Sequence, residues 1–191
     1  MSEASAVEWI GAVAGLACVW LVARASIWNW PVSILNTTLY FVVFLRARLY
    51  GDALLQVVFT TLGIYGWWSW RFGGAQGAEL AIRRATRAEV LLASGLALAG
   101  VALSALVLAR ATDSPVPLWD SSVLVLSLVA TWAQARKILE SWWVWIGVDV
   151  ISVPLYVVRD LHPTALLYTL FLAICILGLR RWTVLLREQP S

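Results

Sequence analysis

Charge is what this chain has least of. Asp, Glu, Lys and Arg together make up 13% of its 191 residues, and hydrophobic residues make up 61%. Soluble domains carry about 25% charged and roughly 45–50% apolar residues. A water-soluble globule of this size could not hide so much apolar surface, whereas a bilayer can. Cysteine is scarce too: Cys18 and Cys175 both lie inside apolar runs, where a thiol behaves as a small hydrophobe, so neither a disulfide nor a metal site is expected. The single histidine, His162, sits in a short turn before Pro163 and reads as a surface residue. A nucleotide-binding loop, paired catalytic carboxylates and a metal-ligand cluster are all missing. That argues against ATP-driven pumping and hydrolysis, so no catalytic residue, cofactor or enzymatic role is assigned. The first residues, Met-Ser-Glu-Ala-Ser, carry an acid where a signal peptide has Lys or Arg, and no cleaved leader is expected.

What is present is a succession of apolar runs close to the ~20 residues that span a bilayer. Seven are read: about Val7 to Ala23, Trp30 to Leu45, Ala53 to Trp70, Val90 to Ala109, Ser121 to Ala135, Trp142 to Val158, and Thr164 to Leu179. The fold expected is therefore an all-α integral membrane protein. The segment from Phe72 to Glu89, Gly-rich and then basic at Arg83, Arg84 and Arg87, reads as a loop with a short surface helix. The net charge of +3 comes from Arg residues between the runs, which read as topology signals and not as a nucleic-acid surface. Seven spans put Arg24, Arg71, Arg83, Arg84, Arg87, Arg136, Lys137, Arg180, Arg181 and Arg187 on one face, and only Arg46, Arg48, Arg110 and Arg159 on the other. The more basic face belongs in the cytoplasm, which predicts an outside N-terminus and a cytoplasmic C-terminus. Thirteen tryptophans are also present. Trp28, Trp30, Trp67, Trp68, Trp70, Trp119, Trp142, Trp143 and Trp182 lie near span ends, where an interfacial belt would place them.

The two ends of the chain resemble each other. Gln56, Phe59, Gly66 and Trp70 of the third run share their spacing with Tyr168, Phe171, Gly178 and Trp182 of the seventh. Ser33, Asn36 and Tyr40 likewise match Asp149, Ser152 and Tyr156, and aligning both pairs at once calls for a four-residue gap. This predicts a 3+1+3 arrangement: residues 1–89 as the first three-helix half with its basic loop, 90–110 as a linker helix, and 111–191 as the second half with a C-terminal tail. A single linker crossing makes the repeats parallel, a known transporter plan with its substrate site at mid-membrane.

Polar side chains at that depth are costly and are functional candidates. Trp145, Asp149, Ser152 and Tyr156 share one face of the sixth run; Ser33, Asn36 and Tyr40 share one of the second; Gln56 and Thr60 share one of the third. Taken singly, Ser33, Ser152 and Thr60 read as interhelical hydrogen-bonding residues. Asp149 stands apart: with no Lys or Arg at its depth, its carboxylate needs a proton, water or a cationic ligand. Pro154 breaks the same helix nearby, while Pro31 and Pro163 begin theirs.

Three segments together resemble the PnuC family of vitamin transporters. They are Trp28-Asn-Trp-Pro-Val-Ser-Ile-Leu-Asn36 with Tyr40; Leu49-Tyr-Gly-Asp-Ala-Leu-Leu-Gln56 with Tyr65-Gly-Trp-Trp-Ser-Trp70; and Trp142-Trp-Val-Trp-Ile-Gly-Val-Asp149 with Pro154-Leu-Tyr156, Leu167-Tyr168 and Gly178. The resemblance implies a 3+1+3 fold in a bacterial inner membrane, related to SWEET-type sugar transporters, and a homotrimer. It also implies uptake of nicotinamide riboside by facilitated diffusion with alternating access, the substrate being trapped by a cytoplasmic kinase. Thiamine or another vitamin, a sugar and a proton-coupled solute remain as alternatives, as does a membrane enzyme or scaffold. The residues suit a flat cation, since Trp143, Trp145, Tyr156 and Tyr168 offer aromatic faces and Asp149 a counter-charge. Asn36, Gln56 and Thr60 offer hydrogen bonds to ribose or carboxamide, and Tyr40, Trp142 and Ser152 complete the expected site. A mononucleotide's phosphate would want Lys or Arg at depth, so the nucleoside is expected as the substrate.

Overall fold

The computed structural model describes residues 3–46, 48–112, 115–158 and 160–189, with side chains from residue 13 onward. Arg159, used above to orient the chain, lies outside the described residues. Seven α-helices follow in order: α1 (Glu3–Ala23), α2 (Asn29–Arg46), α3 (Tyr50–Phe72), α4 (Arg87–Ala111), α5 (Pro117–Ala135), α6 (Ser141–Val158) and α7 (His162–Glu188). Three of them, α4, α6 and α7, are long and apolar enough to cross a membrane by length and composition alone. α2, α3 and α5 are 18 to 23 residues long but carry Asn, Gln, Thr and Ser that lower their mean hydropathy.

Packing explains where those polar residues go. α2 lies against α1 and α3, α6 against α5 and α7, and the two groups meet twice, α1 on α7 and α3 on α5. Six helices thus close a ring. α4 packs chiefly on α5 outside that ring, and none of its residues is buried. Leu91, Leu98 and Leu103 stand 65% or more exposed, as befits a helix apolar all round and facing lipid.

The helix ends recur at one fixed interval. α1, α2, α5 and α6 all end in Schellman motifs, the third residue after the helix donating five positions back and the second donating three back. Ser26 N to Leu21 O (2.9 Å) and Ala25 N to Val22 O (2.8 Å) are matched by Ile138 N to Ala133 O (3.0 Å) and Lys137 N to Gln134 O (3.0 Å). Leu49 N to Phe44 O and Leu161 N to Tyr156 O, both 2.9 Å, form the second matching pair. The left-handed residues of these motifs are Ala25 and Lys137 (φ 53° and 49°), and Arg48 and Asp160 (φ 61° and 57°), each pair 112 positions apart. The bounds of α2 and α6, and the starts of α3 and α7, keep the same interval. No gap is needed. The four-residue gap expected above is a mis-registration: the structural equivalent of Asp149 is Thr37 rather than Ser33, and that of Ser152 is Tyr40.

Two other expectations also change. The segment between α3 and α4 holds a single 3₁₀ turn (Ala75–Gly77) and no surface α-helix. It then runs extended, because Arg83 N donates to Lys137 O (3.0 Å) and accepts at its own carbonyl from Leu139 N (2.9 Å). That bridge is the one strand-like pairing among the described residues. Secondly, Trp30, Trp70, Trp142 and Trp182 are 0–3% exposed and do not belong to an interfacial belt. They form a row of contacting rings, Trp30–Trp70 at 5.5 Å, Trp70–Trp182 at 5.9 Å and Trp182–Trp142 at 5.5 Å, across the basic end of the ring. Trp28, Trp67, Trp68, Trp119 and Trp143 remain 45–67% exposed, as anchors should.

Candidate functional site

Inside the ring, above the tryptophan row, lies a cavity of about 250 Å³. Each wall follows from helix periodicity. On α6, Trp142, Trp145, Val148 and Asp149 face inward; on α2 the equivalent positions Trp30, Ser33, Asn36 and Thr37 do the same. Gly66 and Gly178 permit this geometry, since a Cβ on either would collide with the Trp30 or Trp142 ring. The second indole pair is fixed by hydrogen bonds across the ring: Trp70 Nε1 donates to Gln134 O and Trp182 Nε1 to Val22 O, both 3.0 Å. Val22 and Gln134 are again 112 positions apart, so both crossings obey one approximate twofold.

The walls are symmetric in position but not in chemistry. The α2 side offers neutral hydrogen-bonding groups: Ser33, Asn36 and Thr37, the last sharing a 2.7 Å hydrogen bond with Thr60 of α3. The opposite side offers aromatic rings and one acid. Trp145 is held by its Nε1 donating to Gln134 Oε1 (3.2 Å). Tyr168 packs on Tyr156 at 5.0 Å and on Phe171 at 5.6 Å. Asp149 is 2% exposed and lies beside the Cys175 thiol. Its Oδ2 has no hydrogen-bond partner. A buried oxygen without a partner costs about 1–3 kcal/mol, and more when charged, so this atom suits a cationic or hydrogen-bonding ligand.

Of the residues expected from sequence, Asn36, Trp142, Trp145, Asp149 and Tyr168 line the cavity together. Thr60 and Tyr156 stand one contact behind it, through Thr37 and Tyr168. Ser152 is fully buried outside the lining, Gln56 is half-buried without reaching it, and Tyr40 stacks on Phe44 at 5.7 Å. Trp143 does not join them: at 62% exposure it points away from the ring, being one helical step of about 100° from Trp142. Sequence reasoning passed over Trp30, Thr37, Thr131 and Gln134, which do line the cavity. The 112-residue interval would have found Trp30 and Thr37 from Trp142 and Asp149.

The basic end of the ring is tied shut. Glu89 takes two bonds from Arg83 (2.7 and 2.8 Å) and lies 3.3 Å from Arg136, while its backbone and side chain complete a capping box with Thr86. Lys137 Nζ donates to Leu80 O (2.7 Å) and sits 4.6 Å from the centre of the Trp70 ring. Burial lowers the pKa of that ammonium, with Glu79 opposing the shift.

Over residues 5–184 the chain matches the family described as nicotinamide mononucleotide transporter. It is similar to the nicotinamide riboside transporter PnuC of Escherichia coli (strain K12), at 29% identity over 99% of this chain and 90% of that protein. The riboflavin/roseoflavin transporter RibM of Streptomyces davaonensis is 32% identical over 92% of this chain and 83% of its own length. A crystal structure of the vitamin B3 transporter PnuC superposes with a TM-score of 0.75 at 25% identity, covering 97% of this chain and 84% of that one.

Proposed function

The chain belongs to the nicotinamide mononucleotide transporter family, a family of multi-pass membrane transporters, and on that premise we propose that it carries nicotinamide riboside by facilitated diffusion. The supporting observation is the two-faced cavity. Asp149, with its unpartnered oxygen, lies beside Trp145 and Tyr168, while Ser33, Asn36 and Thr37 face it from α2. A pyridinium ring needs the first wall, through cation–π contact and a counter-charge; a ribose needs the second. No Lys or Arg is among the described residues lining the cavity, so a phosphate would sit uncompensated near Asp149. The nucleoside, not the mononucleotide, is the substrate.

In this reading residues 1–89 and 111–191 are parallel halves, residues 90–110 reverse the chain between them, and all seven helices span the membrane. Rocking of the halves parts Trp70 from Trp182 and opens the basic end, which faces the cytoplasm of a bacterium. A kinase there would trap the substrate. The bacterial inner membrane, an outside N-terminus and a homotrimer belong to the same proposal. The 32% identity to a riboflavin transporter favours one second reading, riboflavin, whose ribityl chain also suits the α2 wall but whose neutral ring gives Asp149 no counter-charge. Tryptophan-fluorescence titration of purified protein with nicotinamide riboside, its mononucleotide, thiamine and riboflavin decides. Saturable quenching by nicotinamide riboside alone is expected. Quenching by riboflavin without it would install the second reading, and tight binding of the mononucleotide would defeat the phosphate argument.

A further inference from the structure

The internal twofold exposes a difference on the outside of the ring. Two grooves lie at equivalent places on the basic end, one between α2 and α3 and one between α6 and α7. The first is lined by Trp67, Trp68, Phe72 and Arg71, and its guanidinium lies 3.7 Å from Glu79. The second, of about 480 Å³, is lined by Trp143, Leu179, Val184, Glu140, Arg84 and Arg180. Neither Arg84 nor Arg180 has an ion-pair partner among the described residues. The one acid present, Glu140, already accepts from Ala85 N at 2.8 Å. The groove is therefore net positive, lined by two guanidiniums without ion-pair partners, an exposed tryptophan and aliphatic side chains.

We propose that this second groove binds one anionic phospholipid. Guanidiniums are the side chains best shaped for a phosphodiester. Trp143 sits where amphipathic rings meet headgroups, and Leu179 and Val184 offer an acyl chain an apolar track. A soluble anion would use the two arginines but leave the track and Trp143 without a role, which commits the site to lipid. The proposal rests on membrane embedding and not on the identity of the transported solute.

Native mass spectrometry of the detergent-solubilised full chain, titrated with phosphatidylglycerol or phosphatidylcholine, tests it. One phosphatidylglycerol is expected to bind in preference to phosphatidylcholine. Arg84→Gln and Arg180→Gln should each weaken it roughly fivefold, and the double variant about 25-fold. Arg71→Gln, in the mirror groove, should leave it unchanged. The unfolding temperature of the double variant in phosphatidylcholine alone should equal that of the parent, which separates lipid loss from misfolding. Equal binding of both lipids, an unaffected double variant, displacement of the lipid by inorganic phosphate, or a double variant that changes subunit number in place of lipid count would each overturn it.

Discussion

At the scale of single residues, the proposed function puts the counter-charge on Asp149, and two glycines make room for the cavity's indoles. Replacing Asp149 by Asn keeps size and shape while removing the counter-charge, so nicotinamide riboside affinity should fall at least about tenfold, about 1.4 kcal/mol; calorimetric titration measures this. If riboflavin were the solute, the same change would leave affinity nearly intact. Gly178→Ala sets a methyl into the Trp142 ring and Gly66→Ala one into the Trp30 ring. Overpacking of that kind costs about 1–3 kcal/mol. Gly147→Ala, with nothing within 4 Å of its added methyl, should be neutral or slightly stabilising. Thermal unfolding in detergent compares them. The place of Asp149 in the cavity wall was legible from its depth and its lack of a cation. The orphaned Oδ2 and the Cys175 contact were not, because they depend on where α7 lies.

Helix ends and loops set the next scale. Ala25 adopts a left-handed conformation (φ 53°) that costs an L-residue roughly 1–2 kcal/mol. Ala25→Gly should accordingly raise stability by about 1 kcal/mol, less what glycine's own unfolded-state freedom takes back. Glu89 ties the loop after α3 to the end of α5 through Arg83 and Arg136. Glu89→Gln should cost about 1–2 kcal/mol and loosen the basic end, read as faster hydrogen exchange at Leu80 through Arg83. Existence and order of all seven helices could be read from apolar runs alone. The register of α2 against α6 could not, since short apolar helices align at several offsets. The paired Schellman turns, which carry Ala, Lys, Arg and Asp where glycine would have signalled them, fix the interval together with the matching helix bounds. The extended strap at Ile82 and Arg83 was equally hidden, because its partners are backbone groups of a loop more than 50 residues away.

At the scale of the whole molecule, closure of six helices into a ring is what turns scattered polar side chains into one chamber. Asn36, Asp149 and Tyr168 come from three helices, and they meet because α1 packs on α7 while α3 packs on α5. The inward tryptophans show what composition hides: nine near span ends read alike, yet four of them form a buried row, two of these lining the cavity, instead of anchoring in the interface. In the proposed mechanism such a ring opens at one end as the other closes, and its unequal walls orient an unsymmetrical solute. The most direct measurement of this account is counterflow of labelled nicotinamide riboside into proteoliposomes holding unlabelled substrate, with no proton gradient. Transient accumulation by the parent protein, strongly reduced in the Asp149→Asn variant, is predicted. Accumulation that requires an imposed pH gradient, or that Asp149→Asn leaves unchanged, would contradict it.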